Sequence, residues 1–162
     1  MAAITFEDYS DQIDTVLAEG NSKLKPCDQG GRVRMVYFTH TVPVGDQADG
    51  NNLAVAILPA GARLLGGAIH GEALGNGSTV DIGLAGKDAN GYYDLLKTLA
   101  DDDDILLAAG STANAFDLTF ADTIARGYGY LLTKECYLVL TVETGKWDAG
   151  QDIVGHLEYV VD

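Results

Sequence analysis

Three histidines, His40, His70 and His156, are the residues of this 162-residue chain with the best claim to chemistry. Two of them have a carboxylate two positions on: Glu72 follows His70, and Glu158 follows His156. Positions i and i+2 of a strand share a face, so each pair could hold a proton or contribute to a metal site. A three-histidine metal centre needs all three side chains to converge, and each histidine stands alone in its own expected strand. Same-face His/Glu neighbours are more simply solvated pairs. The run Asp101-Asp102-Asp103-Asp104 offers the hard oxygen ligands that Ca²⁺ takes, but it lacks the glycine and distal glutamate of an EF-hand loop. A solvated acidic loop is the simpler account. Cys27 and Cys136 stand far apart, in a Pro/Gly-rich loop and an expected strand, and form neither a CxxC pair nor an expected disulfide. There is no G-x-S-x-G elbow, no phosphate loop of the Walker type and no H-E-x-x-H. The glycines of LGNGST lack the third glycine and following helix of a dinucleotide loop. No catalytic residue, cofactor or metal is expected.

Aromatic residues are the next candidates. Trp147 falls in an expected turn between the last two strands. Exposed there, it could stack on a sugar or anchor a partner; buried, it would cap one end of the fold. Tyr128, Tyr130, Tyr137 and Tyr159 fall in C-terminal strands and read as core or interface. The charge balance narrows the partners. Asp and Glu total 24 against 10 Lys and Arg, a net charge of −14. Such a chain repels phosphate backbones and anionic lipid, so neither nucleic acid nor membrane is expected as a direct partner. No apolar run approaches the ~18 residues of a membrane span. The opening MAAITFEDYSDQ has neither a basic region nor a long apolar stretch, so no export signal is expected. The sequon Asn76-Gly77-Ser78 then reads as a chance match.

The elements that must carry these residues are mostly strands. Phe6, Tyr9, Ile13, Val16 and Leu17 fall at helical spacing, predicting a short amphipathic helix or docking arm over 6–19. A loop with Pro26 and Gly30-Gly31 follows. From 32 the period becomes two: RVRMVYFTHTV is a strand with apolar groups on both faces toward its end. LAVAIL (53–58) is a second strand, closed by Pro59-Ala60-Gly61. The segment ARLLGGAIHGEA (62–73) is a third, with a bulge expected at Gly66-Gly67. LGNGS then carries the Asn-Gly hairpin signal, and TVDIGL (79–84) returns with Val80, Ile82 and Leu84 on one face. Tyr92, Tyr93, Leu95, Leu96 and Leu99 suggest a short helix near 92–100. Further strands are expected at 105–109, 128–133, 135–143 and 152–161, with one more possible within the 111–121 loop. About eight short strands with Gly/Asn/Asp turns make this an all-β chain, a β-sandwich of jelly-roll type.

Two stretches carry a family resemblance. They are LPAGARLLGGAIHGEALGNGSTVDIGLAG (58–86) and KECYLVLTVETGKWDAGQDIVGHLEYVVD (134–162). The LPAGAR bend into a long strand resembles a group of tailed-bacteriophage virion proteins. So do the G-[ST]-x-[LV]-D-[IV]-G-x-A-G strand at 77–86 and the Val/Leu-rich penultimate strand followed by a last strand ending EYVVD. The likeness covers about 53–162. It implies a capsid decoration (cement) protein or related virion structural protein with a β-sandwich fold, and it brings no catalytic residues.

The expectations are therefore an N-terminal arm and loop over 1–31 and a sandwich domain over 32–162. The expected function is to decorate and stabilise the outer surface of an icosahedral capsid by binding the major capsid protein. The chain is expected to form a homo-oligomer, a trimer ahead of a dimer, and to act on the virion without catalysing a reaction. Phe6, Tyr9, Ile13 and Trp147 are the expected partner-binding residues. Three alternatives stand beside this: a tail or neck structural protein, a glycan-binding sandwich built around Trp147, and a cupin-like enzyme requiring His40, His70 and His156 to meet.

Overall fold

The computed structural model describes residues 8–9, 33–43, 47–48, 50–87, 93–95, 106–121 and 128–161. Its strands are β1 (Asp8–Tyr9), β2 (Arg34–Thr41), β3 (Gln47–Ala48), β4 (Asn52–Leu58), β5 (Ala62–Gly71), β6 (Thr79–Lys87), β7 (Tyr93–Leu95), β8 (Leu107–Ser111), β9 (Phe116–Phe120), β10 (Cys136–Thr144), β11 (Lys146–Trp147) and β12 (Asp152–Val161). One sheet has the order β1-β4-β10-β6-β7, with β8 also paired to β6; the other has the order β2-β12-β5-β9. A small ladder joins β11 to β3.

Among the eight longer strands, every step in sequence passes from one sheet to the other except β6 to β8. This is the strand order of a jelly roll, two Greek keys folded into a sandwich. The pattern follows from the residues. Val80, Ile82 and Leu84 of β6 alternate inward and meet Val142, Leu140 and Leu138 of β10 across an antiparallel ladder. Phe38, Ile69, Ile153 and Leu157 face them from the other sheet, within the same buried core.

The second sheet carries its large inward residues as rings laid over glycines. Phe38 pairs with Gly155, Phe120 with Gly67 and Phe116 with Gly71. A Cβ on any of these three glycines would fall within 3 Å of its partner's ring. Two glycines of β5 and one of β12 thus leave room for three phenylalanines, as cross-strand neighbours do when one is large and the other has no side chain.

Several sequence expectations change in the structure. LGNGS is not a hairpin loop: β5 and β6 lie in different sheets, so the turn is a corner between them. It is held by Ser78, whose buried hydroxyl donates to the Gly75 carbonyl at 2.9 Å and lies 2.8 Å from Thr112 Oγ1. The bulge expected at Gly66-Gly67 is present, because the ladder with β12 steps from Glu158–Gly66 to Tyr159–Leu64 and leaves Leu65 unopposed. Gly66 takes a φ of 143°, which glycine adopts at no steric cost. Residues 128–133 make no regular strand among the described residues. They hold a single bridge, Leu131 to Arg63, and irregular backbone bonds to Ala62 and Leu64. At Tyr93–Leu95 the chain is strand β7, not helix, because it pairs along β6; the rest of 92–100 lies outside the described residues. At Asp8–Tyr9 the chain is strand β1, parallel to β4, and the rest of the helix expected over 6–19 lies outside them.

Candidate interaction surface

The two sheets present unlike outer faces. In the first, the central strands are buried on both sides. Ala54, Ala85, Tyr137 and Val139, which alternate away from the shared core, are buried as fully as the inward residues. Polar groups buried with them are bonded: Thr141 donates to Asn52 Oδ1 at 2.9 Å, and Asp81 accepts from the Ala109 amide.

The second sheet has an open outer face. The register puts Met35, Tyr37 and Thr39 of β2, His156 and Glu158 of β12, Ala68 and His70 of β5, and Asp117 and Thr119 of β9 on that face. Val33, Met35 and Tyr37 are 58, 58 and 53 % exposed. At the same end of the sheet, Val160 pairs with Arg63, and Arg63 bridges to exposed Leu131. Arg63 is anchored by donating to the Gly129 carbonyl at 3.0 Å, beside exposed Tyr128. Val33, Met35 and Tyr37 along β2 and Leu131 beyond β5 therefore lie on the outer side of the same sheet. Clusters of this kind mark contact surfaces more than scattered apolar residues do. The sequence hinted at it in the doubly apolar alternation of RVRMVYFTHTV, but pattern alone does not say which face stays open.

The expected site residues are placed unevenly. Trp147 is 1 % exposed and part of the core, so it offers no ring to a sugar. Its strand β11 pairs with β3 and folds the indole under the end of the sandwich. The glycan-platform alternative is corrected on that ground, and Trp147 is a capping residue rather than a surface anchor. Its Nε1 is buried without a hydrogen-bond partner among the described residues. Tyr9 lies in β1, opposite Ala54, and its side chain is not described. Phe6 and Ile13 lie outside the described residues, as do Cys27 and the four-aspartate run. Tyr137 is buried, and Tyr130 and Tyr159 pack against the core.

The histidines do not converge as a trio. His40 points into the sandwich, in register with Ile153, and is buried. His70 and His156 lie on the opposite, outer face of the same sheet, their rings stacked with centroids 6.5 Å apart. His70 Nδ1 is 3.1 Å from Asp117 Oδ1, its cross-strand partner. No group of three His, Cys, Asp or Glu among the described residues could hold a metal ion. Cys136 carries a free, buried thiol, and burial pushes it up to about 11, which removes it as a nucleophile at neutral pH.

What the geometry offers is therefore a rigid sandwich with one open, partly apolar sheet face. No family model matches the sequence, and no curated protein matches it. Solved structures do match in fold. A chain of the capsid of Ralstonia phage GP4 superposes with a TM-score of 0.67 at 17 % identity, covering 86 % of this chain and 92 % of that one. A chain of the cyanophage Pam1 capsid asymmetric unit gives a TM-score of 0.60 at 16 % identity, covering 88 % of this chain and 96 % of that one. The fold is thus that of chains found in phage capsid structures. Coverage is high in both directions, so the matched chains are similar to this one in length.

Proposed function

We propose that this chain is a virion structural protein that decorates the outer surface of an icosahedral phage capsid by binding the major capsid protein. The observation that carries the reading is the end-to-end fold match to similarly sized chains of two phage capsids. Three features support it. The sequence resemblance over 53–162 points to the same class. Exposed Val33, Met35, Tyr37 and Leu131 lie on the outer side of one sheet, as a protein that lies flat on a shell requires. The net charge of −14 keeps a protein made in many copies soluble and apart until its binding surface forms. The segment over 1–31, with Phe6, Tyr9 and Ile13, is the candidate second contact to the shell or to a neighbour, at the margin of the sandwich domain over 32–162, along whose strand β4 its strand β1 (Asp8–Tyr9) is paired. No step of chemistry is assigned, and no cofactor is implied.

The test is to locate the protein in purified particles. Quantitative mass spectrometry should find it at many copies per particle, and immunogold should label the outside of filled heads. Label confined to the tail or neck would move the protein to that structural role, and absence from particles would overturn a virion role.

A further inference from the structure

We propose that His70 and His156 form a two-histidine site for a divalent transition ion of the zinc class, on the open face of the second sheet.

The register brings the pair together. His70 of β5 and His156 of β12 are diagonal neighbours on the outer face, because Val154 pairs with His70 and His156 with Ala68. Such diagonals are within reach of aromatic side chains, and Ala68, between the two, carries only a methyl group. The ring planes are 21° apart and the centroids 6.5 Å apart. An ion ~2.1 Å from one nitrogen of each imidazole holds the centroids within roughly 6.5 Å of each other. The backbone therefore already sets the pair at the spacing an ion needs, and only rotation of the side chains remains.

Asp117 aims His70. Its Oδ1 lies 3.1 Å from Nδ1, and it comes from β9, which flanks β5 on the side away from β12. In a neutral imidazole this contact places the proton on Nδ1 and leaves the lone pair on Nε2. The two nitrogens lie on opposite sides of the ring. With Nδ1 turned to β9, Nε2 turns toward β12, the strand that carries His156. A carboxylate behind a ligating histidine fixes its tautomer and orientation at metal centres, and here that support is built before any ion binds.

Ligand chemistry selects the ion. Imidazole suits Zn²⁺, Cu²⁺ and Ni²⁺, whereas Mg²⁺ and Ca²⁺ take oxygen ligands. Asp117 and Glu158 are not third ligands, since no group of three among the described residues could hold an ion. They act at longer range, drawing cations to the face of a chain of net charge −14. Two imidazoles fill half of a tetrahedral shell. Water completes it on the solvent side, where the His70 side chain is 47 % exposed, so the ion exchanges more readily than in a closed four-ligand centre. His40, buried on the inner side of β2, and the buried Cys136 take no part.

The inference concerns the purified chain, so it stands or falls separately from capsid binding. Isothermal titration of the tag-free, chelator-treated full chain with zinc chloride reads it directly. The expected result is saturable binding of one Zn²⁺ per chain. His70→Gln and His156→Gln should each weaken it about tenfold or more, and Asp117→Asn about tenfold. Circular dichroism and the melting temperature of the metal-free variants should stay unchanged, because all three side chains lie on the open face. Excess magnesium chloride should leave the titration as it was, which separates imidazole ligation from the general attraction of cations to an acidic chain. No saturable binding, binding displaced by Mg²⁺, binding indifferent to both histidine substitutions, or full affinity in Asp117→Asn would overturn the proposal.

Discussion

Replacing Gly155 with alanine tests how the second sheet is packed. Gly155 lies in mid-strand on β12, directly across from Phe38. Its φ is not in the left-handed region, so alanine meets no backbone obstacle there. The obstacle is space: a Cβ would sit 2.7 Å from Phe38 Cε2 and 2.9 Å from the Ala68 carbonyl oxygen. Relaxed carbon contacts need ~3.5–4.0 Å, so the ring must retreat by roughly 1 Å. Phe38 is fully buried between the sheets and has nowhere to go without displacing its neighbours. Overpacking of this kind costs about 1–3 kcal/mol. The stiffer unfolded chain returns ~0.4–1 kcal/mol. The net loss should be about 1–2 kcal/mol, or a fall in Tm of roughly 2–8 °C for a domain of this size. Urea unfolding followed by tryptophan fluorescence measures it, because buried Trp147 is the chain's single Trp. Phe38→Leu in the same background should recover part of the loss, with a coupling energy of about 1 kcal/mol in the double-mutant cycle. A Gly155→Ala cost below ~0.5 kcal/mol, or strict additivity with Phe38→Leu, would refute the ring-over-glycine account.

Two further outcomes follow from buried polar groups. Since Ser78 spends its one hydroxyl proton on the Gly75 carbonyl, Thr112 must donate to Ser78; Thr112→Val should cost about 1 kcal/mol, read as a lower urea midpoint with an unchanged slope. Cys136, raised by burial to about 11 from an ordinary 9.0, should resist thiol reagents in the native protein at pH 8 and react on unfolding. The unfolded thiol ionises first as pH rises, so this group's contribution to stability is intact below 9.0 and is lost through about 11. A stability profile in which Cys136→Ser removes none of that alkaline loss would contradict the assignment.

How much was legible in the sequence depended on whether a feature was local. The long strands β2, β4, β5, β10 and β12 followed from alternation and from Pro59 and the glycines that bound them, because period and turn chemistry act within a few residues. The bulge at Gly66 was readable for the same reason. The corner at 74–78 was not: Asn-Gly marks a tight turn, but whether the flanking strands pair or part is decided by β10, β12 and β9, remote in sequence. Trp147 shows the limit most directly. A tryptophan in a polar turn reads equally as platform or cap, and its burial is settled by where the end of the sandwich closes. The open face carrying Met35 and Tyr37 became visible only with the sheet order, since both faces of β2 look alike in apolar content. The pairing of His70 with Asp117 and the stacking of His70 on His156 are likewise products of register.

We propose above that this sandwich binds the outside of a phage capsid. Co-sedimentation of the purified protein with mature and immature capsids of its source phage tests it most directly. A capsid-decorating sandwich binds saturably to the mature form only, at a copy number fixed by icosahedral symmetry. Failure to bind either form would contradict it.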